Sequence, residues 1–452
     1  MDYQQCAEHL AGLYALAPAE RVARRRNLPG LLDALGRPQD GLRGAMVIGT
    51  NGKGSTAAFA VSALSAAGER IGSMPSPHLQ EPRERIRVDG RPIGRDAYAA
   101  AYREVLAVIG EHGLPVGAGA MCAAVAAAHF RQAGVTRVVA EASIGGRGAA
   151  VRFLDLDVKV VTGVGLDHAG VLGDTLGRIA AAKASAVRDG EHLVLGRLDP
   201  QAQAGVGEVL AERSGLTCWQ VDREIRYADR PDGALDVSTP LGEHRALPCP
   251  LPGVHQHHNL ALGLATAAAL ADRGHADLPS DRLLRPALAA TRWPGRLELL
   301  TDARLDGWRG RVLLDGATNP QGVATVMPEI ERLATAAPGA ARGADTRAGA
   351  DAPSTAVVFA AMRDKDVPEM LAPLPAPWPL VLTRTGSPDA AEPDALRTRL
   401  PAARRDRVHT APDTASALRR AAELVGPGGL IVVFGSLRLV GESRTALGLA
   451  PA

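Results

Sequence analysis

Ten consecutive residues carry the strongest chemical signal in this chain: Val47-Ile48-Gly49-Thr50-Asn51-Gly52-Lys53-Gly54-Ser55-Thr56. An apolar strand runs into a glycine-rich turn with one lysine and paired hydroxyls, and the helix-forming Ala57-Ala58-Phe59-Ala60 follows. Glycines let backbone N–H groups turn inward on an anion. The helix N-terminus adds partial positive charge, and a lysine there reaches terminal phosphates. Ser55 or Thr56 supplies a hydroxyl able to hold magnesium. The spacing is shorter than the common G-x-x-x-x-G-K-[ST]. Even so, strand, glycines, lysine, hydroxyls and helix stand in the order a phosphate cradle needs, not that of an ordinary Gly/Ser turn.

Other segments carry weaker signals. Ser76-Pro77-His78-Leu79 precedes the charged Glu81-Pro82-Arg83-Glu84-Arg85-Ile86, and alone reads equally well as a loop. Glu141-Ala142-Ser143-Ile144-Gly145-Gly146-Arg147 follows an apolar run. An acidic residue at a strand end can hold magnesium directly or through water. Leu166-Asp167-His168 follows another such run, and Lys183 closes Ala180-Ala181-Ala182-Lys183, where a lone lysine is ordinarily a solvated charge. Leu314-Asp315-Gly316-Ala317-Thr318-Asn319-Pro320 again sets an acid at a strand end. None of these decides anything singly.

The elements that must position these groups follow from periodicity. Apolar runs at 45–48, 138–140, 158–161, 193–195, 312–314, 356–360, 380–383 and 430–434 alternate with helical patterns. That alternation predicts an α/β fold with mostly parallel sheets and ligands at the carboxyl ends of the strands. Residues 218–252 have short alternating segments and the turn Arg230-Pro231-Asp232-Gly233, which predicts a small antiparallel hairpin region. A boundary at Trp293-Pro294-Gly295-Arg296 divides a first domain, 1–295, from a second α/β domain, 296–452, whose first strand is expected at 311–315. Residues 337–354, rich in Ala, Gly, Asp and Pro, read as a flexible surface insertion.

The 452 residues suffice for two or three domains. Aromatic residues are only 3% of the chain, so its cores must be built from Ala, Val and Leu. A net charge of +2 makes no case for nucleic acid as a partner, and the basic run at 21–26 reads as a solvated helix face. Cys6, Cys122, Cys218 and Cys249 lack metal-ligand spacing, and a chain of this length needs no disulfide staple. Met1-Asp2-Tyr3-Gln4-Gln5 is not a signal peptide, and the uncharged run 114–130 reads as a buried helix, not a membrane span. A cytoplasmic monomer is expected.

Taken together, the ordered segments closely resemble the folylpolyglutamate synthase/dihydrofolate synthase family of the Mur ligase superfamily, over nearly the whole chain. The phosphate loop matches 49–56, the Ser-Pro-His-Leu loop 76–79, Glu-Arg-Ile 84–86, and Glu-x-Gly-x-Gly-Gly-Arg 141–147. Leu-Asp-His and a helix lysine follow, then His-Gln-x-x-Asn at His255, Gln256 and Asn259. Trp-Pro-Gly-Arg matches 293–296, Arg-Asp-Lys-Asp 363–366, and Gly-Ser-Leu-x-Leu-Val-Gly-Glu 435–442.

The resemblance implies an N-terminal P-loop ATPase domain and a smaller Rossmann-like C-terminal domain. It implies ATP and two magnesium ions, with Ser76, Glu141, His168 and a carbamylated Lys183 as metal ligands. Gly49, Thr50, Asn51, Gly52, Lys53, Gly54, Ser55 and Thr56 would cradle the phosphates. Asn259, Arg296 and Asp315 would hold the nucleotide, with Asp315 toward the ribose. Arg147, Thr318 and Ser436 would meet substrate. Lys53, Lys183, Arg296 and His168 would carry catalysis, in which a carboxylate becomes an acyl phosphate and an amino acid's amine displaces phosphate.

Departures cluster at the substrates. Where the family carries Thr-x-Phe-Glu, whose Thr and Phe line a pterin pocket, this chain has Gly117-Ala118-Gly119-Ala120. Leu-Asp-Ala-Thr-Asn becomes Gly148-Ala149-Ala150-Val151-Arg152. A histidine that helps bind glutamate becomes Thr318, and the Glu preceding the helix lysine becomes Ala182. Three readings therefore stand: a folate ligase that tolerates these changes, a paralogous ligase of specialised biosynthesis with another acid or amine, and an inert ATP-binding relative.

Overall fold

The computed structural model describes residues 1–146, 148–335, 354–405 and 408–452. Arg147 and residues 337–353 of the expected insertion lie outside them. The chain divides into two compact units. One comprises 1–77, 81–250 and 254–292; the other comprises 78–80, 251–253 and 293–452.

The first unit is built on an eight-stranded sheet: β1 (Arg43–Ile48), β2 (Ile71–Met74), β3 (Arg87–Val88), β4 (Arg91–Pro92), β5 (Arg137–Glu141), β6 (Val158–Val161), β7 (His192–Leu195) and β8 (Thr217–Gln220). The spatial order is β4-β3-β2-β5-β1-β6-β7-β8. β2 through β8 pair in parallel across β5, β1, β6 and β7, while β3 and β4 add an antiparallel edge. β1 is buried from Gly44 to Ile48, as a strand covered on both faces must be. The chain leaves β1 toward β2 on one side and later returns to β6 on the other. The turn after β1 therefore lies at a topological switch point, where an open α/β sheet leaves a crevice.

Helix Lys53–Ala66 follows β1 and is buried from Gly54 to Ala60. It packs on helix His255–Asp272 at Gly263, where a Cβ would meet Phe59 Cβ at 2.6 Å. With so few aromatics, such backbone-to-backbone approach through Gly and Ala is how this core closes. Three further strands, β9 (Arg226–Asp229), β10 (Leu235–Thr239) and β11 (Gly242–Leu247), form an antiparallel sheet. That sheet takes up most of the region read as hairpins, but Cys218 belongs to β8 of the main sheet. The helix within 114–130 starts only at Ala118 and runs to Gln132, because Pro115 and Gly117 interrupt the run before it.

The second unit holds β12 (Glu298–Leu305), β13 (Trp308–Leu314), β14 (Thr355–Phe359), β15 (Leu380–Leu382), β16 (Val408–Thr410) and β17 (Leu430–Phe434), in the order β12-β13-β17-β14-β15-β16. All pairs are parallel except β12 with β13. The unit thus opens one strand earlier than expected. β12 is a half-exposed edge strand whose Thr301-Asp302-Ala303-Arg304 masks any apolar run. Alternate residues of β17 face opposite cores: Val432 and Phe434 on one side, Ile431 and Val433 on the other. Among the described residues, no helix is long and apolar enough to cross a membrane.

Candidate active site

The phosphate loop sits at the carboxyl end of β1 and is braced by the loop after β6. Thr50 N donates to Gly163 O (2.9 Å), Thr162 Oγ1 to Asn51 O (2.6 Å), and Gly165 N to Thr50 Oγ1 (3.0 Å). Gly52 has φ +82°, and a Cβ there would meet Asn259 Oδ1 at 2.4 Å; at Gly49 (φ +155°) it would meet Thr162 Oγ1 at 2.0 Å. Only glycine fits either position. Asn259, expected near the nucleotide, therefore lies directly against the loop, held by its Nδ2 donating to Gln256 Oε1 (2.9 Å).

Lys53 opens the helix. Its Nζ donates to Thr50 O (3.1 Å) and lies 3.8 Å from Glu141 Oε1. Glu141, the last residue of β5, is buried, and its Oε2 accepts from Ser76 N at 3.1 Å. Ser76 Oγ in turn accepts from Arg85 Nη1 at 3.2 Å. Arg85 is buried with its guanidinium carbon 5.5 Å from the ring centroid of Tyr14, which lies on helix Tyr3–Ala15. Sequence reasoning quoted Arg85 within Glu-Arg-Ile and gave it no role, since nothing local signals its contact with the N-terminal helix.

Lys183 is almost fully buried, and its Nζ donates to Gly49 O at 2.9 Å. Burial pushes its pKa down to about 7, helped by the Lys53 charge and opposed by Asp167. It is no solvated helix lysine. His168 has φ +53°, with Nε2 3.8 Å from Asp167 Oδ2. Lys53, Ser76, Glu141, Lys183 and Asn259 are thus gathered around one loop within the first unit.

The second unit gathers Arg296, Asp315, Thr318 and Ser436 near the carboxyl ends of β13 and β17. Asp315 is buried and accepts from Leu297 N (2.9 Å) and Ala317 N (2.8 Å). Burial raises its pKa, and Arg296 opposes that shift. The Arg296 guanidinium lies over Gly316, where a Cβ would meet Nη1 at 2.6 Å. Gly435 N donates to Ala317 O at 3.0 Å, tying the loop holding Thr318 to the turn that carries Ser436. Ser436 caps helix Leu437–Ala446.

Residues 295–437 match the Mur ligase, glutamate ligase domain. The chain is 30% identical over 461 residues to the dihydrofolate synthase/folylpolyglutamate synthase of Mycobacterium tuberculosis, covering 94% of this chain and 90% of that protein. The chain belongs to the folylpolyglutamate synthase/dihydrofolate synthase family.

Family membership makes it an ATP-dependent acid–amino-acid ligase of the Mur superfamily. A probable bifunctional folylpolyglutamate synthase/dihydropteroate synthase of Haloferax volcanii is also 30% identical, over 98% of this chain; the chain spans about half (50%) of that relative's length. Among solved structures, M. tuberculosis folylpolyglutamate synthase complexed with ADP and AMPPCP matches with a TM-score of 0.80 and 29% identity, covering 95% of this chain and 96% of that one. An FPGS–AMPPCP–folate complex matches with a TM-score of 0.80 and 28% identity, covering 99% and 100%. Relatives of this folylpolyglutamate synthase-like chain therefore bind nucleotide and folate.

Proposed function

We propose that the protein joins glutamate to a folate-type carboxylate, consuming ATP and releasing ADP and phosphate in the cytoplasm. The observation that carries this reading is the linkage of Lys53, Glu141, Ser76 and Lys183 around one phosphate loop, in a chain similar to such enzymes along nearly its whole length.

Residues 49–56 cradle the β- and γ-phosphates, and Lys53 neutralises their charge. Asn259 holds the loop's shape, and Arg296 and Asp315 keep the nucleotide-binding role that the family resemblance implies for them. An oxygen of the acceptor carboxylate attacks the γ-phosphorus, and the bond to the bridging oxygen of ADP breaks. The amine of glutamate then attacks the acyl carbon. Phosphate leaves, and the amine loses its proton. Thr318, Ser436 and Arg147 serve the substrates.

The donor set fits magnesium on one condition. Among the described residues no three of His, Cys, Asp and Glu cluster as a metal site, so Glu141 and His168 need Ser76 and Lys183 beside them. A protonated Lys183 would repel a cation. Among the described residues no carboxylate forms an ion pair with its buried amine, whose pKa burial lowers to about 7, so the neutral amine can add to carbon dioxide and lose a proton, becoming an anionic carbamate. Magnesium, when bound, supplies charge neutralisation and alignment of the phosphates.

A second reading, ligation of a non-folate acid, is favoured by one observation. Gly117 caps helix Ala118–Gln132 without a side chain, and a Cβ on Gly119 would meet only Ala150 Cβ, at 4.0 Å. No ring stands at residues 117–120 for a flat heterocycle to stack on.

The test is phosphate release from Mg-ATP with glutamate, comparing dihydropteroate, tetrahydrofolate and no acceptor, with product mass. Release requiring a folate-type acceptor supports the first reading. ATP binding without release for either acceptor supports the second, and the inert relative only if no other acid is turned over.

A further inference from the structure

The second unit carries a guanidinium whose arrangement the nucleotide chemistry does not use. Arg438 lies in the first turn of helix Leu437–Ala446, and its backbone N–H donates to the capping Ser436 Oγ at 3.2 Å. Its Nε donates to Glu442 Oε1 at 3.1 Å, one turn along. Glu442 is itself fixed, accepting from Gly386 N (2.8 Å) after β15 and from Thr414 Oγ1 (2.6 Å) at the start of helix Thr414–Val425. The stem of Arg438 is therefore anchored through a carboxylate that two other elements hold still.

Glu442 engages only Nε. Nη1 and Nη2 donate to no protein group among the described residues, and the side chain is 45% exposed. Nη2 lies 3.7 Å from where a Cβ on Gly386 would stand. The fork thus lies at the carboxyl ends of β15 and β17, beside a helix N-terminus that favours anions. The loop tied to this turn through Gly435 offers Asp315, Thr318 and Asn319, and no cation. Of the neighbouring arginines, Arg296 faces Asp315, and Arg384 is engaged by Glu392 at 2.8 Å. A two-nitrogen fork with a fixed stem matches the geometry of a carboxylate.

We propose that Arg438 is a specificity-determining residue for the amine substrate, its Nη1–Nη2 fork receiving the side-chain carboxylate of an incoming dicarboxylic amino acid. This rests on the reading of the protein as a glutamate ligase. Arg438 supplies the charge that Thr318 lacks, from a position that the Gly-Ser-Leu-x-Leu-Val-Gly-Glu pattern leaves open.

The test is steady-state kinetics of the full chain and its R438A, R438Q and R438K variants, with glutamate and ATP varied in turn and glutamine as the neutral competitor. The expected result for R438A and R438Q is a rise in KM for glutamate of about 10- to 100-fold, the loss of a charge-assisted hydrogen-bond pair. KM for ATP should move less than about 2-fold, preference for glutamate over glutamine should fall, and R438K should recover part of the loss. Glutamate-dependent turnover in the wild type with an unchanged KM in R438A and R438Q overturns this proposal alone. Absence of glutamate-dependent turnover in the wild type overturns the underlying reading and this proposal with it.

Discussion

Lys183 and Gly52 show how single positions set the chemistry. The Lys183 ammonium is held in a site that disfavours its charge, by burial and by Lys53. Such an amine is a better nucleophile toward carbon dioxide than a surface lysine at the same pH. Lys183→Ala should reduce turnover by at least about 100-fold, as loss of a group acting on transition-state charge does. Added acetate or formate should restore part of it by standing in for the carbamate, and the wild-type protein in 13C-bicarbonate should give a carbamate carbon resonance that the variant lacks. Full activity in the variant would remove Lys183 from the mechanism. Gly52→Ala tests the cradle. The new methyl meets Asn259 Oδ1 at 2.4 Å on a backbone at φ +82°, a conformation costing an L-residue about 1–2 kcal/mol. The loop must shift, so AMPPCP affinity by calorimetry should fall by more than about 10-fold, roughly 1.4 kcal/mol, while the fold persists.

At the scale of elements, β7 contains a group with a measurable effect on stability. His192 is fully buried, its ring packed edge-on to Trp219 at 4.3 Å; among the described residues neither ring nitrogen has a hydrogen-bond partner, although Asp272 Oδ2 lies 3.6 Å from Nδ1. Burial holds its pKa down at about 4, with Asp272 opposing. The unfolded chain then binds a proton at pH 5 that the folded chain does not. Stability is complete above the unfolded value near 6.5 and is lost as pH falls toward 4, by on the order of 2 kcal/mol. Urea midpoints at pH 7.5 and pH 5.0 should converge in His192→Leu relative to wild type; an equal pH dependence in both would refute the assignment. The elements themselves were mostly legible. Each of the eight apolar runs overlaps a strand, two of them running one residue past its end, because strands buried on both faces need continuous apolar sequence. The phosphate loop was legible because its parts are contiguous in the chain. β12 was hidden because an edge strand tolerates polar residues. Arg85 drew no role because its contact with Tyr14 joins distant segments. Arg438 stood in plain sight in its motif, but only the anchoring of Glu442 by Gly386 and Thr414 gives it direction.

The whole molecule is two units, each with cores of its own. Leu31, Tyr102 and Phe130 belong to a core of the first; Leu313, Phe359 and Phe434 belong to one of the second. The phosphate loop and its supporting residues belong entirely to the first, so much of the free energy of nucleotide binding should appear as stability of that unit. Trp219 is the first unit's tryptophan, while Trp293, Trp308 and Trp378 lie in the second. A variant with those three replaced by phenylalanine reports the first unit by fluorescence. AMPPCP at about 100 times its dissociation constant should stabilise this reporter by roughly 2.7 kcal/mol, seen as a raised urea midpoint. Adding Lys53→Ala to the reporter should remove most of that shift at the same nucleotide concentration, because the terminal phosphates lose their cation. A shift that survives Lys53→Ala undiminished would mean that the nucleotide is held elsewhere, and residues 49–56 would lose their role as its cradle.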